Sequence, residues 1–209
     1  LKIFNFSLDR FQASQLFSVV RTKKDIIATW MRAIKLMSVY VDPGEGARFG
    51  SMRLHVDKMS RLFFVKEDKS YSINFPFFTD NSAERLTFSA FACSPVDNRV
   101  TSEVLSLLST YNLLDADDIY SFLDPISNSL EVEPAIWSLL KNLMMCDDGY
   151  IRVDHDEVRA NGNLHPLDHI DVFYEGASTF KIGLVDRLSL NDFADLLDVG
   201  SDCHFLHRK

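Results

Sequence analysis

The hydrophobic pattern of this chain switches repeatedly between a helical period and a strand period, and that switching limits what it can fold into. Residues 50–93 hold four short aromatic and β-branched runs, MRLHV, RLFFV, YSINFPFF and RLTFSAFAC. The polar stretches VDKMS, KEDKS and TDNSAE separate them. Such runs bounded by turn residues read as strands, and an antiparallel meander is the simplest layout. Pro76 lacks a backbone donor, so the third run is expected at an edge or with a bulge. Three further strands are expected at 149–154, 168–173 and 179–184.

Around these strand groups the pattern is helical. Residues 6–21 are read as a first helix and 22–41 as a second. In the second, Ile27, Trp30, Met31, Ile34 and Met37 fall on one stripe, which suits core packing. Thr22 with Asp25 three residues on has the form of a capping box. The segment DPGEGARFG ends that helix, because proline and glycine favour turns. Residues 94–148 suggest three more helices, EVLSLLSTYNLL, ADDIYSFL and PAIWSLLKNLMM, with Pro134 suited to a first helical turn. Ser189 and Asp192 cap a final helix, SLNDFADLLDV. The expected class is therefore α+β, with antiparallel sheet packed by N-terminal, central and C-terminal helices. The expected layout is one domain: a helical segment at 1–48, strands at 50–93, helices at 100–148, then a polar-faced sheet and C-terminal helix at 149–198. Whether the two strand groups form one sheet is left open at this stage.

Strand alternation sorts the residues of the last three strands. Side chains two apart share a face. Ile151, Val153, Ile170, Val172, Phe180, Ile182 and Leu184 are expected to face the core. Arg152, Asp154, His169, Asp171 and Lys181 then face the other way, joined by Asp156 if its strand extends. His165 precedes them in the loop HPLDH, where Pro166 restricts the backbone. Carboxylates and imidazoles are ligands for Zn, Mn or Fe, whereas magnesium prefers oxygen. Asp154, Asp156, His165, His169 and Asp171 are the candidate metal ligands. His165, His169, Asp154 and Lys181 are the candidate catalytic groups, because a histidine beside an aspartate serves as a base and a lysine stabilises anionic charge. Arg152, Asp156 and Asp171 are the candidate binding residues.

No strong chemical motif fixes this choice. HPLDH is not H-E-x-x-H, and the phosphate-binding and dinucleotide-binding glycine loops are missing from the sequence, as is the G-x-S-x-G elbow. Polar pairing across strands is the plainer account of the same residues, with Arg152 bridging Asp154 or Asp171. Asp115, Asp117 and Asp118 form an acidic cluster, read first as a solvated helix end. Cys203, His204 and His207 lie close together but lack paired ligand spacing. His55 is expected at the surface, and Lys23, Lys24, Arg32 and Lys35 give the second helix a basic side.

Composition narrows the classes. The chain has 209 residues, 46% apolar and 25% charged, the profile of a soluble globular protein. Its net charge of -8 disfavours nucleic acid as a partner captured by the bulk field. Three widely spaced cysteines make no disulfide framework and fit a reducing cytoplasm. No run reaches the length of a membrane span, and the first residues lack a signal-peptide pattern. The chain begins with Leu rather than Met, so a preceding segment is expected.

Three stretches resemble a family of bacterial proteins of unknown function: YSINFPFF with RLTFSAFACSP, the Arg-x-Asp-x-Asp strand IRVDHD, and the His-Pro-x-x-His stretch HPLDHIDV followed by FKIGL. The Ser-Pro turn here lacks a second proline that the family carries. The resemblance spans about residues 50–198 and implies a bacterial cytoplasmic protein associated with restriction or phage defence, without implying an activity. The expected function is thus an accessory or interaction protein with a protein partner or a second copy. The alternative is a metal-dependent phosphodiesterase or nuclease acting through the Asp/His residues at 154–171. The sequence names no cofactor beyond a divalent metal that those residues would suit.

Overall fold

The computed structural model describes residues 1–58, 60–82, 85–110, 133–173 and 179–205. The fold is α+β. By their internal contacts the residues divide into two units, one of residues 1–5, 50–74 and 149–209 and the other of residues 6–49 and 75–148.

The first unit is built on a seven-stranded sheet, whose first strand contributes residues 2–5 to it. Its strands are β1 (Lys2–Leu8), β2 (Gly50–Val56), β3 (Arg61–Val65), β4 (Lys69–Asn74), β7 (Ile151–His155), β8 (Asp168–Phe173) and β9 (Thr179–Gly183), in that spatial order. The first strand group as far as Asn74 and the last three strands therefore make one sheet. They join where β4 pairs antiparallel with β7, Tyr71 opposite Arg152 and Lys69 opposite Asp154. Helix α5 (Leu190–Leu196) belongs to the same unit. Phe193 and Ala194 from α5 form a buried cluster with Phe63, Val153 and Ile170, and Ile151, Val172, Ile182 and Leu184 pack around it. The alternation read from the sequence thus assigns the apolar face. Phe180 carries the parity of that face but sits on the terminal strand and stays 42% exposed. Ser189 caps α5 in a full capping box with Asp192.

The second unit holds α1 (Arg10–Leu16), α2 (Lys23–Ser38), α3 (Asn98–Thr110), α4 (Pro134–Met145) and a small sheet of β5 (Phe78–Asp80) and β6 (Thr87–Ser89). Helix α2 packs against α1, α3 and α4. It starts at a capping box in which Thr22 accepts from the Asp25 amide, and Ile27, Trp30, Met31, Ile34 and Met37 are all buried. Pro134 occupies the first turn of α4. The expected helix ADDIYSFL and the acidic residues Asp115, Asp117 and Asp118 lie outside the described residues. Among the described residues no helix is long and apolar enough to cross a membrane.

Two expectations are corrected. Residues 6–21 are not one helix: KIFNFSL forms β1, and α1 begins only after Asp9, which caps it in a box with Gln12. The even positions Phe6 and Leu8 are buried while Ile3 is exposed, a period of two that ends where Asp9 offers its side chain to the helix. The run YSINFPFF is not one strand. It ends at Asn74, Phe75 and Phe77 turn inward, and after Pro76 the chain enters the separate sheet at Phe78.

Candidate functional site

The polar residues of the last three strands meet through register. In β7 and β8, Arg152 stands opposite Asp171 and Asp154 opposite His169. In β8 and β9, Asp171 stands opposite Lys181 and His169 opposite Gly183. Arg152, Asp154, His169, Asp171 and Lys181 therefore share the face turned away from α5. Gly183 has a specific place in this arrangement: a Cβ there would lie 2.9 Å from Pro166 Cγ. The missing side chain lets the His165–Pro166 segment lie close against the sheet.

His169 is the centre of the group and is fully buried. Its Nδ1 is 2.8 Å from the Pro166 carbonyl, which can only accept, so Nδ1 carries the proton. Nε2 is then a lone-pair acceptor, and the Lys181 ammonium donates to it at 2.8 Å. The same ammonium donates to Asp171 Oδ1 at 2.7 Å. On the other side, Arg152 Nη2 donates to Asp171 Oδ2. Arg152 Nε lies 2.8 Å from Asp154 Oδ2, an ion pair by distance whose N–H is not aimed well enough for a hydrogen bond. The Arg152 guanidinium also lies 5.2 Å from the centre of the Phe173 ring.

Two cations thus face two carboxylates around a neutral imidazole, and the group balances its own charge. Burial pushes the Asp171 carboxyl up, but the hydrogen bonds and charges of Lys181 and Arg152 outweigh it and hold the carboxyl below its ordinary value. Tyr150, beside Arg152 and 4.6 Å from Phe173 between ring centres, is pushed up to about 12 by burial, partly opposed by Arg152.

Of the five candidate metal ligands, three converge. One ligand atom each from Asp154, His169 and Asp171 lies within 4.8 Å of the others. Asp156 and His165 stand outside that group. Asp156 holds the Arg159 side chain at 2.8 Å, and its amide donates to the Leu167 carbonyl, closing the loop between β7 and β8. His165 meets the His169 ring edge-on at 4.7 Å, and its Nε2 is 3.9 Å from Asp156.

His204 pairs with Asp195 at 3.0 Å, Cys203 is exposed, and His207 lies outside the described residues. His55, expected at the surface, is partly buried against Phe63 at 4.8 Å between ring centres. It lines a cavity of about 240 Å³ with Lys58, Phe63, Leu197 and Asp198. Asp154, Asp156, His165, His169 and Asp171 do not line that cavity.

Sequence reasoning missed Lys69 and Tyr71, which β4 adds to the polar face. Lys69 stands opposite Asp154 but lies over the Tyr71 ring, and burial together with Arg152 lowers its pKa. The alternation within KSYSIN gives their parity, but no local signal says that β4 neighbours β7. Comparison with known proteins finds no family model, curated protein or solved structure that matches this chain.

Proposed function

We propose that this chain is an interaction module that offers the outer edge of β9 to an extended segment of a protein partner. The observation that supports this reading is the condition of that edge. Leu184 donates to the Asp168 carbonyl at 2.9 Å, so the even residues of β9 direct their backbone groups to β8. Thr179, Lys181 and Gly183 then direct theirs outward, and β9 is last in the sheet order with no further strand beside it among the described residues. Proteins commonly blunt such an edge with a lysine. Here the Lys181 ammonium is drawn onto the face by His169 and Asp171 and leaves the edge open. Phe180 and Val185, 42% and 83% exposed, supply apolar surface beside it. An added strand would gain main-chain hydrogen bonds and those side-chain contacts.

The partner is a protein segment or β9 of a second copy. The net charge of -8 disfavours nucleic acid. A cytoplasmic setting agrees with three free cysteines. An association with restriction or phage defence remains part of the proposal and draws on the resemblance of the IRVDHD and HPLDHIDV stretches. The test is Thr179→Pro, which removes one outward N–H at the first position of the strand, where proline is tolerated. A partner captured from the native host by the wild-type chain, or a dimer seen by sedimentation, should be lost in this variant while circular dichroism is unchanged. Equal capture or equal dimerisation by both proteins would sink the reading.

A second reading, a metal-dependent phosphodiesterase, draws on the convergence of Asp154, His169 and Asp171. It requires a cation at that point with a coordination position left open. Hydrolysis of a phosphodiester by the manganese-loaded chain, abolished by His169→Gln, would favour it over the interaction module.

A further inference from the structure

We propose that Lys181 is a resident cation in a latent divalent-metal site, and that Zn²⁺ or Mn²⁺ binds Asp154, His169 and Asp171 by displacing its ammonium. This inference assumes neither strand addition nor hydrolysis. It rests on the sheet face and on the state of one imidazole.

Three independent features point to the same spot. First, the ligand atoms are already close. His169 Nε2 lies 3.9 Å from Asp154 Oδ2 and 3.8 Å from Asp171 Oδ1. Ligands around a metal at about 2.1 Å sit roughly 3–4 Å apart; the three atoms here lie within 4.8 Å of one another, so the two carboxylates draw closer together as the ion enters. Second, His169 is held in the form that a metal needs. Its Nδ1 proton is committed to the Pro166 carbonyl, which leaves the Nε2 lone pair facing the two carboxylates. A backbone carbonyl on the far ring nitrogen is a common outer support of a metal-bound histidine. From the other side Arg152 donates a hydrogen bond to Asp171 and forms an ion pair with Asp154. Third, a cation is already there. The Lys181 ammonium bonds both Nε2 and Asp171 Oδ1. That contact shows that His169 and Asp171 attract positive charge at that point.

Lys181 is also able to leave. It belongs to the terminal strand, and its side chain is 29% exposed, whereas that of Asp171 is 3% exposed. Its long stem can carry the ammonium to water, and the repulsion between a divalent ion and an ammonium at such range makes the two exclusive. An imidazole with two carboxylates suits zinc or manganese better than magnesium, which favours an all-oxygen shell. In the bound state the metal would take the charge-balancing place of Lys181, and the lysine would stand free at the edge of β9.

The experiment is a titration of Co²⁺, read by its visible absorption, into the full chain and into Lys181→Met. Removing the competing ammonium should tighten one-to-one cobalt binding by about tenfold or more. Adding His169→Gln to Lys181→Met should reverse that gain, and Zn²⁺ should displace the bound cobalt. Circular dichroism checks folding. Lys181→Gln replaces Lys181→Met, and Asp154→Asn replaces His169→Gln, where the first choice does not fold. Equal affinity in wild type and Lys181→Met overturns the proposal, as does the lack of cobalt binding in both. Binding marked by a thiolate-to-cobalt charge-transfer band places the ion at a cysteine and overturns it as well.

Discussion

Asp171 is held between Arg152 and Lys181 with only 2% of the residue exposed, so its buried charge depends on the cations beside it. Asp171→Asn would leave both cations short of their shared acceptor. Breaking a buried pair in this way typically costs about 3 kcal/mol, which urea unfolding would register. The pH dependence follows from the same contacts. The Asp171 carboxyl is held below 3.8, so its contribution is present above the unfolded value and is lost as pH falls through the folded one. Stability should therefore drop in the acid range below about pH 4, and Asp171→Asn should flatten that drop. His155 behaves in the opposite sense. Its hydrogen bonds to Asp168 and Glu157 raise it above 6.5, so its contribution is present below that value and fades as pH rises through the folded pKa. An NMR titration should place the His155 midpoint above 6.5 and find it lowered by Asp168→Asn. Gly149 is constrained by a different effect. Its φ is +53°, and a Cβ would meet the Asn74 side-chain nitrogen at 2.8 Å. The Asn74 amide cannot simply turn away, because its Oδ1 accepts from the buried Arg61 at 2.5 Å. Gly149→Ala is expected to cost about 1–3 kcal/mol, measured by thermal unfolding.

Among the elements, α5 shows how a short helix gains its stability from packing. It has seven residues, too few to persist alone, and it is held by its cap and by Phe193. The Phe193 ring meets Phe63 edge-on at 5.6 Å on the apolar face of the sheet. Phe193→Ala should cost about 3–5 kcal/mol by urea unfolding, because it removes a buried aromatic ring and leaves a cavity. Helix α2 is held at its start by a smaller, local contribution. Thr22→Ala removes an exposed cap and should cost about 1 kcal/mol. The contrast separates a stability effect that depends on packing across the unit from one that the local sequence supplies.

For the whole molecule, connectivity matters more than any single contact. The chain passes between its two units at residues 5–6, 49–50, 74–75 and 148–149, so neither unit is a continuous stretch. Among the described residues, strands β7, β8 and β9 join the strand ladder of the sheet through the pairing of β7 with β4. A fragment of residues 149–209 would carry Val153, Ile170 and Phe193 without Phe63, and Arg152 without Tyr71. It is expected to show no cooperative thermal transition by circular dichroism, whereas the full chain should.

The sequence by itself determined what local physics controls. The capping pairs Thr22–Asp25 and Ser189–Asp192 give two helix starts, because a side-chain acceptor three residues from an amide needs no distant partner. The period of two in IRVDH and DHIDVF separates Val153 and Ile170 from Asp154, His169 and Asp171, because alternate side chains point to opposite faces whatever the neighbouring strand. The tertiary structure alone decided which strands are neighbours. It placed β1 and β4 in the sheet and brought Lys69 and Tyr71 beside Arg152, since pairing between distant segments leaves no mark on either segment. It also decided that Asp154, His169 and Asp171 meet while Asp156 and His165 stand aside. Residue type and parity were legible in the sequence, but the aim of each side chain depends on register, on loop closure by Asp156 and Leu167, and on the space that Gly183 leaves for Pro166.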